Sequence, residues 1–386
     1  MRSASERKLV FFIHSMGGGG AERVTANMAN HWAGKGWDIT VVTLAALSLD
    51  FYDLHPAVRR IALNLAGDSG NVLVGLGQNL RRVVAMRQVL KQLEPDIALG
   101  MMTSSSVLLS FAAWGRRGAA VGSEHVHPPQ YPLSTMWESV RRRSYGLLHA
   151  VTALTGQTAA WLAAQTNARH ITVIPNAVPW PLPAQEPRLS VDSVCRAGRP
   201  ILLAVGRLEA QKGFDSLVGV FADLAQKHPG WDLVVLGEGA QRPQLESIVQ
   251  AAGMVLRIFL PGRVGNLHEW YERADLFVMS SRFEGFGNTL AEALAHGLPA
   301  VSFDCDTGPR DIVRHELDGL LVPPGDMAGL TDALDRLMGR ADLRLDFGQR
   351  AVEARQRFSL ERIAGLWETL FADIGQDKFP PHQGKK

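Results

Sequence analysis

Short apolar runs alternate with longer amphipathic stretches over most of the chain. The runs at 9–14, 38–44, 96–101, 119–124, 150–153 and 171–174 read as strands with helical patterns between them, the signature of a parallel sheet wrapped by helices. A proline-rich stretch at 175–187, with Pro179, Pro181 and Pro183, interrupts the pattern and reads as a semi-rigid linker. A second series follows at 201–205, 233–236, 258–260, 276–279, 300–303 and 320–322. The predicted architecture is α/β, two Rossmann-like domains facing across a cleft, with boundaries at 1–180 and 181–365. Amphipathic segments at 328–338 and 343–358 precede a last helix at 360–374. The polar tail at 376–386 has no periodicity and is expected to be disordered.

Composition narrows the class. At 386 residues and 46% hydrophobic positions, the chain has apolar material for two cores. Two cysteines, Cys195 and Cys305, are too few for a disulfide framework and point to a reduced, cytoplasmic compartment. No secretory leader and no run of about 18 apolar residues is evident, which argues against a membrane span. The net charge of +2 conceals an asymmetry: residues 1–185 carry 17 Lys+Arg against 10 Asp+Glu, and residues 186–386 carry 23 against 28. The basic front half suits an acidic substrate or an anionic membrane face, reached peripherally from the inner side of the plasma membrane. No nucleic-acid-binding signature accompanies it.

The most informative segment is Ser281-Arg282-Phe283-Glu284-Gly285-Phe286-Gly287-Asn288-Thr289-Leu290-Ala291-Glu292. Two carboxylates bracket a glycine-rich turn that opens a helix. Amides at a helix start are an anion site, so a diphosphate can rest over Gly287, Asn288 and Thr289, with Glu284 and Glu292 reaching hydroxyls on either side. Upstream, the strand at 201–205 ends in Gly206 and Arg207, and Lys212 follows before a helix. Ligands of open α/β sheets bind at such strand ends. Arg207 can fork onto phosphate oxygens and Lys212 adds a point charge.

These elements resemble the GT-B-fold retaining glycosyltransferases of family 4. The likeness rests on Gly206, Arg207 and Lys212, on Glu284 and Glu292 eight positions apart, and on Gly-Gly-Ala-Glu-Arg from Gly19 to Arg23. It covers roughly residues 8–372 and leans toward bacterial enzymes that extend polyprenyl-diphosphate-linked glycans, including N-acetylgalactosaminyltransferases and exopolysaccharide enzymes. The resemblance implies a UDP-sugar donor, a lipid-linked glycan acceptor, no cofactor and no metal. It places Glu292 on ribose hydroxyls, Glu284 on the donor sugar, and the backbone of Phe286 to Thr289 on sugar and phosphate. Base contacts fall near Arg263 and Val264. Arg207, Lys212, Glu284 and His125 form the implied catalytic set. The last helix is expected to cross back to the first domain over 366–375.

Other motifs carry competing readings. The loop Met16 to Glu22 imitates a dinucleotide fingerprint, but no acidic residue ends the next strand to hold a ribose, which argues against a nicotinamide cofactor. Its glycines instead let backbone approach a ligand, Gly19 the donor and Gly18 with Glu22 the acceptor. Arg81, Arg82, Arg87 and Lys91 lie on a helix at 78–93 and are candidates for acceptor diphosphate, against a solvated face. Arg141, Arg142 and Arg143, beside Trp137 and Leu147-Leu148, read as an interfacial cluster. Asp304-Cys305-Asp306 spells a metal-binding pattern in a context that suits a turn and helix cap, and His125 with His127 lacks a third ligand. A nucleotide-sugar epimerase, or a transferase using a phospholipid or soluble sugar, remains the alternative function.

Overall fold

A computed structural model describes residues 7–67 and 72–376. It divides into two compact units, one formed by Met1–Ala177 with Leu360–Lys386, the other by Val178–Ser359.

The first unit holds β1 (Lys8–Ile13), β2 (Asp38–Thr43), β3 (Arg59–Ala62), β4 (Ile97–Met101), β5 (Ala119–Glu124), β6 (Ala150–Ala153) and β7 (Ile171–Val173). All pairs are parallel, in the order β3-β2-β1-β4-β5-β6-β7. Side chains alternate across the sheet, so Leu9, Phe11 and Ile13 of β1 enter one core while Val10 and Phe12 enter the other. Strand β3 escapes the apolar pattern because it is a short edge strand that begins with Arg59 and Arg60. Arg60 pairs with Asp50 at 2.7 Å.

The last helix, Leu360–Gly375, belongs to this first unit. Ile363, Ala364, Trp367, Leu370, Phe371 and Ile374 recur at helical spacing and are buried with Trp32 and Trp37 in one core. Trp32 Nε1 donates to Glu368 Oε1 at 3.0 Å, and Lys35 pairs with the same carboxylate at 2.9 Å. The tail expected to be disordered lies, from 377 onward, outside the described residues.

The second unit holds β8 (Ile201–Val205), β9 (Asp232–Leu236), β10 (Ile258–Gly262), β11 (Leu276–Met279), β12 (Ala300–Phe303) and β13 (Gly319–Val322). It is again parallel throughout, in the order β10-β9-β8-β11-β12-β13. Each sheet therefore reverses its strand order once, between β1 and β4 and between β8 and β11, and the crevice at such a switch point is where doubly wound sheets bind ligands. The amphipathic segment at 343–358 is not one helix but two, Ala341–Ala351 and Ala354–Arg357. Arg314 interrupts it by donating to the Arg350 carbonyl at 2.9 Å and pairing with Glu353. Both cysteines are free and buried, and burial pushes their thiols up to about 11 for Cys195 and about 12 for Cys305.

Candidate active site

In the second unit the loops after β8 and β11, the two strands at the switch point, are stitched together. Gly206 follows β8, and a Cβ there would crowd the Lys212 stem at 3.1 Å. Lys212 closes a short 3-10 turn, Ala210–Lys212. Gly213 follows at φ +64°, where a Cβ would stand 2.3 Å from the Ser280 carbonyl, so only glycine permits this approach. Ser280 Oγ donates to the Lys212 carbonyl at 2.9 Å, Arg282 N to the Gln211 carbonyl at 2.8 Å, and Gln211 Nε2 to the Phe283 carbonyl at 2.9 Å.

This stitching brings Lys212 and Glu284, 72 positions apart, to 2.5 Å (Nζ to Oε1). Their side chains are only 14% and 8% exposed. Ser281 Oγ donates to the same carboxylate oxygen at 2.6 Å, and Thr307 Oγ1 donates to the Glu284 carbonyl. Arg207 is placed differently. Its guanidinium is 59% exposed and lies on Glu209 at 3.1 Å and Gln211 at 3.5 Å. It shares the loop with Lys212 but not the buried ion pair.

Gly287, at φ +103°, caps the helix Asn288–Ala295. The first bonds of that helix run from Leu290 and Ala291 to the Gly287 carbonyl, so the Asn288 and Thr289 amides lie ahead of its ladder. Thr289 Oγ1 donates to the Val205 carbonyl at 3.3 Å, fixing this helix start against the end of β8. Phe286 is buried, and its carbonyl lies where a Cβ on Gly308 would come within 1.9 Å. Glu292 is buried one turn further along, and Tyr271 OH donates to its Oε2 at 3.1 Å. The ends of β8, β9 and β10 carry Gly206, Gly237 and Gly262 side by side; Gly206 N donates to the Leu236 carbonyl at 3.0 Å and Gly237 N to the Gly262 carbonyl at 2.9 Å. Beyond Gly262 come exposed Arg263 and buried Val264.

The first unit shows a different set at its own strand ends. The glycine loop follows β1 and leads into the helix Gly20–Gly34, with Gly19 as its cap. Tyr52 OH donates to the Gly19 carbonyl at 3.0 Å, and the Glu22 carboxylate folds back to within 2.1 Å of where a Gly19 Cβ would sit. Gly18 lies in the same loop. Strand β5 ends at Glu124, which is fully buried and accepts from Tyr145 OH and, at 2.7 Å, from Thr103. Burial raises the Glu124 pKa, and those two hydrogen bonds oppose the rise. Next to it, His125 shares a hydrogen bond of 3.1 Å between Nε2 and Ser123 Oγ, which also accepts from Thr152. Its Nδ1 is buried without a partner among the described residues. Burial holds the imidazole neutral, at a pKa of about 4.

Several expected clusters are not assembled. On the helix Val72–Leu93, longer than the 78–93 expected, Arg82 donates to the carbonyls of Leu65 and Gly67. Arg87 donates to those of Ala112 and Trp114, while Arg81 and Lys91 stay exposed. The interfacial cluster read over Arg141 to Arg143 loses Arg141 and Leu148 to the interior, while Arg142 and Arg143 are exposed. Arg141 is 1% exposed, paired with Glu138 and stacked 4.7 Å over Trp161, and Leu148 is buried. Asp304 is taken by Arg310 at 2.9 Å, and His127 Nδ1 meets Thr158 at 3.1 Å. Among the described residues no group of three His, Cys, Asp or Glu could hold a metal ion, and no helix is long and apolar enough to cross a membrane. Tyr271, Thr307 and Gly237 carry no local signal in the sequence, because each acts through a partner more than twenty positions away.

Residues 18–179 match the family described as Glycosyltransferase Family 4, and residues 187–354 match Glycosyl transferases group 1. The chain is 30% identical to the lipopolysaccharide core biosynthesis mannosyltransferase LpcC of Rhizobium leguminosarum bv. viciae over 275 residues, 66% of this chain and 76% of that one. It is 32% identical over 303 residues, 78% of its length, to an exopolysaccharide phosphotransferase of Streptomyces coelicolor, of which it spans only 31%. A Campylobacter jejuni α-1,4-N-acetyl-D-galactosaminyltransferase, whose name gives an undecaprenol-diphosphate-linked glycan, is 23% identical over 95% of this chain and 99% of its own. Anabaena HepE, solved in complex with UDP and glucose, shares the fold with a TM-score of 0.75 at 20% identity, over 95% of this chain and 100% of that one. Two family matches that run nearly end to end, on paired parallel sheets of GT-B type, identify the chain as a member of the family 4 glycosyltransferases.

Proposed function

We propose that the chain moves a hexose or N-acetylhexosamine from UDP to a hydroxyl of a polyprenyl-diphosphate-linked glycan, with retention at the anomeric carbon. The observation that carries the reading is the Lys212–Glu284 pair at the switch point between β8 and β11. Cleaving the donor leaves a diphosphate with extra negative charge beside an oxocarbenium-like sugar. Fixed positive charge at the diphosphate is therefore the principal requirement. Lys212, Arg207 and the amides at Gly287, Asn288 and Thr289 supply it without a metal. Glu284 orients the sugar, Glu292 holds the ribose, and the backbone at Arg263 and Val264 receives the base beside the side-chain-free floor of Gly206, Gly237 and Gly262. Retention follows if the acceptor attacks from the leaving-group side and the departing phosphate takes its proton. Such a route asks for no strong enzymic base, which suits a neutral His125. Gly18, Gly19 and Glu22 contact the incoming substrates, and Arg81 with Lys91 is left for the acceptor diphosphate. The named activities of the Campylobacter and Rhizobium relatives support a glycan-assembly role.

The test is incubation with a panel of UDP-sugars and GDP-sugars, with and without a polyprenyl-diphosphate-linked glycan, followed by product analysis and proton NMR of the new linkage. Transfer from a UDP-sugar only when the lipid-linked acceptor is present, with an axial–axial match of donor and product and no effect of a chelator, is the expected result. Conversion of donor without acceptor identifies an epimerase. Transfer to phospholipid or free sugar alone overturns the acceptor.

A further inference from the structure

Strands β5 and β6 turn polar at their ends. Val121 and Ala150, paired across the two strands, face the core that holds Trp367 and Phe371. Two positions later, on the same faces, stand Ser123 and Thr152, again direct partners in the ladder and both buried. His125 follows Ser123 by two more positions. Two hydroxyls and an imidazole are thus grouped at the strand ends.

Their hydrogen bonds have a direction. Ser106 Oγ shares its proton between the carbonyls of Gly100 at 2.8 Å and Met102 at 2.9 Å, and accepts from the Ser123 amide at 3.2 Å, which anchors the Ser123 backbone. A buried hydroxyl without an acceptor is costly, and Thr152 Oγ1 gives its proton to Ser123 Oγ at 2.9 Å. Ser123 keeps its own proton, and the remaining group to take it is His125 Nε2 at 3.1 Å. A ring nitrogen that accepts carries no proton, so a neutral imidazole holds its proton on the other nitrogen. Burial keeps this imidazole neutral. The other nitrogen, Nδ1, is the atom that is buried without a partner among the described residues.

We propose that Ser123 and Thr152 are positioning residues that hold His125 as its Nδ1–H tautomer, so that Nδ1 donates a hydrogen bond to a substrate oxygen. The opposite tautomer would present a lone pair at the same place and could draw a proton from a hydroxyl. The hydroxyl pair therefore decides that His125 binds an oxygen and does not act as a base. A ligand at Nδ1 has to offer an acceptor: a sugar oxygen, an amide carbonyl or a phosphate oxygen. What the proton serves rests on the transferase reading, whereas the tautomer belongs to the free protein.

The experiment is ring-nitrogen NMR of the full chain carrying isotope-labelled histidine, at neutral pH without substrate, the His125 signals being those lost in His125→Asn. Nδ1 should show the shift of a protonated ring nitrogen and Nε2 that of a bare one. Thr152→Val and Ser123→Ala delete the hydroxyls at little change of volume. Each should move His125 toward the Nε2–H form and lower kcat/KM for sugar transfer about tenfold, the scale on which the loss of a histidine's orienting partner is felt. Thr152→Ser returns the hydroxyl and should restore both readouts. A bare Nδ1 in the wild type overturns the proposal, as does a tautomer that both variants leave unchanged, or a shifted tautomer with kcat/KM intact. The wild-type spectrum decides the tautomer even if a buried variant does not fold or no sugar is transferred, so a failure here and a failure of the transferase reading stay separable.

Discussion

The two sheets share one strand order over six strands, yet the ends of their central strands are furnished in opposite ways. In the second unit, side chains of opposite charge meet across loops: Lys212 on Glu284, with Arg207 nearby on the surface. In the first, the strand ends carry a glycine loop, an imidazole held neutral by burial and a carboxylate whose pKa burial raises. The shared topology decides where a ligand can sit; the loops decide which ligand. A diphosphate asks for fixed charge, whereas a hydroxyl acceptor asks for hydrogen-bonding groups that add none.

The largest test of this contrast lies in the two cations of the second unit. Arg207→Ala should lower turnover by about a hundredfold, the loss of one preorganised charge donor at the leaving group. Its side chain is mostly exposed, so stability should stay within about 0.5 kcal/mol of wild type. Lys212→Ala should cost as much turnover and also destabilise by about 3 kcal/mol, because it strands a nearly buried Glu284 carboxylate with Ser281 as its remaining side-chain partner. Steady-state kinetics paired with chemical denaturation separate the two losses. Near-normal turnover in Arg207→Ala would leave the surface cation out of the chemistry and reduce the site to the buried pair.

The first unit is tested by pH. His125 has a native pKa of about 4 against an ordinary value of 6.5, so between those values the unfolded chain binds a proton that the native chain refuses. Its contribution is fully present above pH 6.5 and is lost as pH falls, at about 1.4 kcal/mol per pH unit. Glu124 runs the other way: its pKa is raised in the native state, so its contribution grows as pH falls through that value. His125→Asn removes the first effect and keeps the second. Denaturant unfolding between pH 4.5 and 6.5 should therefore show a shallower acid loss in the variant, by about one proton. Equal slopes would mean that the imidazole is solvated, and the neutral half of the comparison would fall.

Much of this was legible in the chain because the signals were local. Apolar runs marked twelve of the thirteen strands, and the motif spacing singled out Lys212 and Glu284, which the fold brings to 2.5 Å. What escaped was set by partners distant in sequence. Nothing around 59–62 reveals that Arg60 is neutralised by Asp50, so the edge strand stayed hidden. Four cations on one helix look alike until Arg82 and Arg87 are found spent on backbone carbonyls. Arg141 looks like its neighbours until Glu138 and Trp161 bury it. A charge run shows how much charge exists, not how much of it is still available.

The smallest effect concerns Tyr271, a residue that no motif announces. Its hydroxyl donates to the buried Glu292 carboxylate, and its ring lies 5.1 Å from His296 and 6.1 Å from Phe277. Tyr271→Phe keeps the ring packing and deletes the donor. A hydrogen bond to a charged group is worth about 1.5–3 kcal/mol, and part of that returns when the carboxylate turns to its other partners, so UDP affinity should fall roughly tenfold. Turnover at saturating donor should hold, because the ribose lies away from the bond that breaks. Calorimetric titration with UDP, set beside kcat and KM, reads the two separately. A fall in kcat at unchanged KM would move Glu292 from the nucleotide to the reacting sugar, and the division of labour between the two carboxylates would have to be redrawn.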